Sequence, residues 1–249
     1  MDSNPSVTCK RMDDEHTQCR SRGADGFAFV IQNQAGLAVG KGGSSMGYGG
    51  IRNSIAVEFD TMFGPDQFDP FENHISVHTR GWRDENSAHH TFSLGSTAAL
   101  TSAVPDLTDG DHTVRIVYDP VFDHTALHSG AFVASPHVTN FLENANFAAG
   151  GMADWGTGMG TMTIFIDEML SPVAALPLNL DATLSLDSGR AWVGFTAATG
   201  ANMWQVHDIL DWEFSSLRKT PHYSPPVVIN PSGKDGAWRC AVGTHCRHK

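Results

Sequence analysis

The chain has 249 residues, of which 41% are hydrophobic and 17% charged, and its net charge is −11. That suffices for one large all-β domain or two small ones with a sizeable core, and it excludes wholesale disorder. The negative balance argues against nucleic acid or an anionic membrane as the main partner, and no apolar run approaches membrane-spanning length.

Residues 1–22 are polar, without apolar alternation, and contain Cys9 and Cys19; no signal peptide is expected within this chain. From Gly23 onward, short strands and turns follow one another. FAFVIQN (Phe27–Asn33) is a short apolar run, and KGGSSMGYGG (Lys41–Gly50) is a glycine-rich loop. SIAVEFD (Ser54–Asp60) alternates, with Ile55, Val57 and Phe59 on one face and Glu58 and Asp60 on the other. HISVHT (His74–Thr79) alternates likewise, setting Ile75 and Val77 against His74, Ser76 and His78. Further strands are expected at His112–Asp119, Thr161–Asp167, Arg190–Ala197 and His207–Phe214. No segment longer than about two turns carries helical periodicity, so the class is an all-β sandwich.

Two regions stand apart. Residues 121–160 have no steady period and are rich in Gly, Ala and His, as in a long insertion between two strands that would otherwise form a hairpin. Residues 215–249 form a proline-punctuated extension holding Cys240 and Cys246, in which only VVIN (Val227–Asn230) is expected to add a strand. The organisation is therefore a polar segment (1–22), a domain (23–214) with its insertion, and an extension (215–249). The cysteine spacings are not those of a zinc ribbon. Two local disulfides in an oxidising compartment are expected, with free thiols as the alternative.

The chemistry concentrates between Asn53 and Thr79. Glu58 and Asp60 project from one strand face about 7 Å apart. Thr61–Phe68, with Gly64-Pro65, must form a loop that can fold Asp69 back toward Asp60, while His74 on the next strand adds a nitrogen. Three carboxylates and an imidazole without cationic neighbours repel one another and raise their own pKa values. A divalent ion removes that conflict. Oxygen-only ligands suit Ca²⁺, and a mixed carboxylate and imidazole set suits Mn²⁺ or another transition ion. The alternative is a group of solvated loop acids beside a surface histidine.

Five ordered blocks, ADGFAFVIQN, GGSSMGYGG, NSIAVEFDT…DP…NHISV, DGDHTVRIVYDP and VGFTAATG…HDILDWEF, resemble those of L-type (legume-like) lectins, especially the lectin-like domains of bacteria and protists. The resemblance spans Gly23 to Phe214, interrupted by 121–160. It implies a concanavalin-like jelly-roll β-sandwich of two antiparallel sheets that holds Mn²⁺ and Ca²⁺ close together. In that pattern Glu58 and His74 ligate Mn²⁺, Asp60 and Asp69 bridge both ions, and the Met62 carbonyl faces Ca²⁺. The separations of nine from Asp60 to Asp69 and five from Asp69 to His74 match the family's.

The resemblance also implies a sugar site. Asp25, after a cis Ala24–Asp25 peptide, accepts hydrogen bonds from two sugar hydroxyls. Gly43 donates its backbone N–H, and the loop Gly200–Trp204, with Ala201 and Asn202, shapes the rim. Gly64 occupies the place of a family asparagine that ligates Ca²⁺ and contacts sugar, and Met62 the place of a stacking aromatic. These departures bear on sugar affinity rather than on fold. Asp66 or a water is left to replace the lost ligand, and Asn202, Trp204 or the insertion to supply a contact.

The implied function is metal-dependent, non-catalytic recognition of glycans on glycoproteins or polysaccharides, in a secreted protein or the secretory-pathway lumen. Relatives carry several strands before the ADGFAF block. Either the chain is a fragment, or its tails and insertion cover the gap, or a partner or second copy does. One alternative is a degenerate lectin fold acting as a structural or protein-interaction module. A less favoured one is a laminarinase-type hydrolase, whose E-x-D-x-x-E strand would need a carboxylate where Phe63 stands. Histidines 89, 90, 112, 124, 128 and 137 show no ligand spacing and are expected at the surface or in hydrogen bonds. Trp192 and Trp212 are expected in the core, and Trp155 and Trp204 exposed.

Overall fold

The computed structural model describes residues 23–97, 104–108, 110–123, 125, 129–133, 160–200 and 204–215, together with the backbone of four strands in the terminal segments. The chain forms β1 (Thr8–Arg11), β2 (Thr17–Arg20), β3 (Gly26–Gln32), β4 (Ser54–Asp60), β5 (His74–Thr79) and β6 (Ser93–Ser96). There follow β7 (Val114–Asp119), β8 (Gly160–Ile166), β9 (Ala174–Leu178), β10 (Arg190–Ala198), β11 (Glu213–Phe214), β12 (Ala237–Ala241) and β13 (Cys246–Arg247). A six-stranded sheet runs β12-β10-β3-β4-β5-β6, and a three-stranded sheet runs β7-β8-β9. Every adjacent pair in both is antiparallel. This is the expected all-β sandwich.

The core lies between the two sheets because strand side chains alternate. Ile55, Val57 and Phe59 of β4 and Ile75 and Val77 of β5 pack against Met162, Ile164, Ile166, Leu176 and Leu178. The cross-strand pair Phe27–Phe59 stacks at 4.7 Å between ring centroids. The other face of the six-stranded sheet is also covered. Met46 and Tyr48 of the glycine-rich segment and Ile51 just after it, with Ala88, seal Ala28, Val30 and Ala56. Gly50 and Ile51 exchange backbone hydrogen bonds with Asn86, which ties the two covering segments together. All seven residues of β4 are consequently buried, polar ones included.

Several expectations shift. His207–Phe214 is not a full strand. Only Glu213–Phe214 pairs, with Cys246–Arg247, and Val206, Ile209 and Leu210 are exposed. Trp212 and Phe214 pack against Val193, but the exposed residues before them gain too little burial to hold a ladder. Trp192 is half-buried rather than central, as is Trp212, which meets Phe195 edge-on at 5.5 Å. Trp204 is exposed, whereas Trp155 and Val227–Asn230 lie outside the described residues. Within the extension, Ala237–Ala241 pairs with β10. The polar N-terminal segment forms an antiparallel pair, β1 with β2, in which Cys9 stands opposite Cys19. The side chains of all four cysteines lie outside the described residues, and the disulfide expectation with them. β7 and β8 pair as the two ends of a hairpin. Of the segment between them, Ala131 and Val133 exchange backbone hydrogen bonds with Ala175 along the edge of β9.

Candidate metal centre

The register of β4 on β5 assembles the cluster. Glu58 stands opposite Ser76, Asp60 opposite His74, and Ala56 opposite His78. Because these residues share the parity that turns away from the inter-sheet core, their polar groups meet beneath the glycine-rich segment. Glu58, Asp60 and His74 offer ligand atoms that all lie within 4.8 Å of one another. The separation of Glu58 Oε1 from His74 Nε2 is 3.6 Å. Two ligands about 2.1 Å from one ion stand roughly 3.0–3.5 Å apart, so this spacing suits neighbouring positions on a single ion. It is too long for a hydrogen bond. The His74 ring is set by its other nitrogen, Nδ1, 2.8 Å from the Phe71 carbonyl. A carbonyl only accepts, so Nδ1 carries the proton and donates, the arrangement found behind metal-bound histidines.

One side of the cluster is closed by hydrogen bonds. Glu58 Oε2 accepts from the Tyr48 hydroxyl at 2.5 Å. Its Oε1 accepts from the Ser76 hydroxyl and lies 2.9 Å from His78 Nε2. His78 is anchored in turn to the Ser87 carbonyl through Nδ1 at 3.0 Å. Burial by itself would raise the Glu58 carboxyl, but His78 and His74 outweigh it and hold the group well below the usual carboxylate range.

The other side is open. Three buried atoms, Asp25 Oδ2, Asp69 Oδ1 and His74 Nε2, have no hydrogen-bond partner. Burial holds Asp60 well above its ordinary value, with His74 opposing and Asp69 and Glu58 adding to the rise. Burial likewise brings Asp69 to about 6, against the pull of His74. Burial alone would lower His74, yet Glu58, Asp60 and Asp69 raise it to about 9. Without a cation, protons on these groups are what relieve the repulsion. That is the condition a divalent ion satisfies by displacing them.

Local turns bring the residues here. Asp60 Oδ1 accepts from the Met62 N–H at 2.7 Å, which curls the chain back at the end of β4. Asp69 Oδ2 accepts from the Gly64 N–H at 2.7 Å and closes the loop. A Cβ on Gly64 would lie 2.8 Å from that same Asp69 oxygen, so the asparagine of the family pattern does not fit without moving a cluster member. Asn73, with φ 57°, donates to the Pro105 carbonyl and accepts from the Leu107 N–H, fixing the approach to His74. Gly26 must be glycine, since a Cβ there would lie 2.3 Å from the Phe59 carbonyl. This close approach lets β3 follow Asp25, whose carbonyl accepts from both the N–H and the hydroxyl of Thr61.

The predicted positions thus fall as follows. Glu58, Asp60 and His74 are brought together. Asp69 lies outside that set of three, although its open oxygen is buried. Asp25 is buried after a cis Ala24–Asp25 peptide. Met62 is half-buried. Gly43 opens a short 3₁₀ turn, and no atom lies within 4 Å of where its Cβ would stand. Asp66 is exposed. Ala201 and Asn202 lie outside the described residues.

Tyr48 and His90 join the cluster although nothing in the sequence pattern marks them, while for His78 and Ser76 the alternation assigns only a face. The His90 ring centroid is 6.1 Å from that of His74 and 6.2 Å from that of His78. Burial, with His78 and His74, pushes it down to about 4. Of the other histidines, His112 bonds Asp167 at 2.9 Å and His89 packs on Phe68 at 4.8 Å. Histidines 124, 128 and 137 lie outside the described residues. No family model matches the sequence, so the likeness to L-type lectins rests on the sequence blocks.

Proposed function

We propose that this chain is a metal-dependent carbohydrate-binding module of jelly-roll type, non-catalytic, with a divalent-ion site at Glu58, Asp60, Asp69 and His74 and a glycan site at Asp25 and Gly43. Gly64, Ala201 and Asn202 complete the proposed rim, and Met62 contributes its carbonyl to the ion. The observation that carries the reading is the set of three buried, partnerless atoms, Asp25 Oδ2, Asp69 Oδ1 and His74 Nε2. Each costs free energy as it stands; the Asp69 carboxylate and the His74 imidazole are donor types expected of a Mn²⁺ and Ca²⁺ pair, and Asp25 Oδ2 is an acceptor left for a sugar hydroxyl. When bound, the ions would supply charge that holds the Asp25 and Gly64–Asp69 segments in place, and the chain's own groups would grip the sugar. Glu58 is fully buried and hydrogen-bonded on both oxygens, which favours a ligand role over that of a glycosidase nucleophile. The family resemblance and the four cysteines suit a secreted or lumenal setting. No helix among the described residues is long and apolar enough to cross a membrane.

A glycan array read in Mn²⁺ plus Ca²⁺, in EDTA, and with Asp25→Ala tests the proposal. Binding that disappears with chelator and with the substitution is expected. A folded, metal-loaded protein that binds no glycan would overturn it and favour the second reading, a lectin fold serving as a structural or interaction module. The observation behind that second reading is Gly64, which offers no side chain to sugar and where a Cβ would displace the Asp69 carboxylate.

A further inference from the structure

The glycine-rich segment reaches the ion cluster through one side chain. Tyr48 is fully buried with Met46 and Ile51 against Val30 and Ala56. Its hydroxyl donates to Glu58 Oε2 at 2.5 Å. The other oxygen of that carboxylate, Oε1, is the one that faces His74 Nε2 at 3.6 Å. A single carboxylate therefore has one oxygen on the ion side and one on the loop side. The loop itself is closed by its own backbone. Met46 N bonds Gly43 O, Gly47 N bonds Lys41 O, Lys41 N bonds Gly49 O, and Tyr48 N bonds Ser45 O. A turn knitted in this way responds to displacement of Tyr48 as a unit, and Gly43 is part of it. A second, partly buried link runs from Gln67 Nε2 to Ser44 Oγ at 3.2 Å.

Resting on the metal reading above, we infer that Tyr48 is a positioning residue that couples occupancy of the ion site to the conformation of the Gly43–Gly50 loop. An ion held at Oε1 would add to the Ser76 and His78 contacts there and hold the rotation of the Glu58 carboxylate more tightly. Oε2 is fixed with it, and so are the phenol and the turn that carries it. Ligand grip at Gly43 then depends on the ion even though Gly43 need not touch it. By reciprocity, whatever holds the loop tightens the ion.

Titration calorimetry with Mn²⁺, and amide exchange of Ser44–Gly49 with and without Mn²⁺, test this in the wild type, Tyr48→Phe and the control Tyr118→Phe. The control removes a phenol bonded to Leu178 and Leu180, in and beside β9 of the other sheet. Tyr48→Phe is expected to weaken Mn²⁺ by about tenfold or more, the usual scale for an outer-shell partner. It should also lose the metal-induced slowing of loop exchange, while the control keeps both. Mn²⁺ affinity and loop protection that are unchanged in Tyr48→Phe would overturn the inference and leave the metal reading intact. A wild type that binds no divalent ion would overturn both.

Should Tyr48→Phe not fold, the intact protein serves. Of its three tyrosines, Tyr48, Tyr118 and Tyr223, only the phenol carbon signal of Tyr48 should move on adding Zn²⁺. The signal is identified by its persistence in Tyr118→Phe and Tyr223→Phe. Zn²⁺ that binds without moving it contradicts the coupling.

Discussion

The two sides of the acidic cluster differ in what they need. Around Glu58, Tyr48, Ser76 and His78 supply donors from the covering loop and from β5, and the carboxylate is satisfied with no ion present. At the loop ends, Asp25, Asp69 and His74 each keep a buried atom without a partner. One side is thus a structural network that folding completes. The other keeps buried atoms that folding leaves without a hydrogen-bond partner. The difference follows from position. Glu58 lies inside a β-ladder, where register supplies neighbours, while Asp25 and Asp69 lie in turns, where no donor among the described residues meets Asp25 Oδ2 or Asp69 Oδ1.

Removing the centre of the satisfied side should have the largest effect. Glu58→Ala strands the Tyr48 hydroxyl and His78 in a dry site, and breaking a buried charge pair on one side costs about 3–5 kcal/mol. Urea unfolding in EDTA is expected to show that loss in full, because no ion takes part in it. An unchanged midpoint would mean that the network does not hold the sheet.

The open side should answer to metal instead. At a hundred times its dissociation constant, an ion that binds only the folded state adds about 2.7 kcal/mol. Thermal unfolding of the wild type should rise accordingly with Mn²⁺ and Ca²⁺. His74→Ala should abolish the increment, beyond the loss of stability in EDTA that emptying a fully buried site brings by itself. A variant that kept the full increment would remove His74 from the ligand set.

The smallest effect belongs to a pair outside the cluster. Slight burial pushes the Asp167 carboxyl up, but hydrogen bonds from His112 and the Thr113 N–H outweigh it and hold it below its usual range. A group lowered in the folded state stabilises above its unfolded value and loses that contribution as pH falls through the lowered one. Asp167 is nearly half-exposed, so Asp167→Asn should cost less than about 1 kcal/mol at neutral pH. The gap between wild type and variant, measured by unfolding, should close as pH drops below about 3.9. A gap that persists in acid would place the effect in packing.

Much of this was legible in the residues. Period-two alternation in SIAVEFD and HISVHT assigned Ile55, Val57, Phe59, Ile75 and Val77 to the core and Glu58, Asp60 and His74 to the opposite face, and the sandwich keeps that division. The glycine, proline and aspartate pattern from Gly64 to Pro70 marked the turn that returns Asp69. Less legible was who else would meet there. Alternation put Ser76 and His78 on the acidic face, but whether they reach Glu58 depends on a register set by the intervening turn. Tyr48 read only as part of a glycine-rich loop, and His90 lies in a segment with no period at all. His207–Phe214 misled because its alternation was real while only Trp212 and Phe214 found a surface to pack on, leaving Ile209 and Leu210 exposed.

What the sequence by itself determined is therefore parity: which side chains share a face, and where the chain must turn. Those follow from strand geometry and backbone sterics, which act over a few residues. Only the tertiary structure decided which donors satisfy which carboxylate. Hydrogen bonds over two to three ångströms between segments distant along the chain depend on register and on the loop folded over the sheet. The division between a completed Glu58 and an incomplete Asp25, Asp69 and His74 arises at that level.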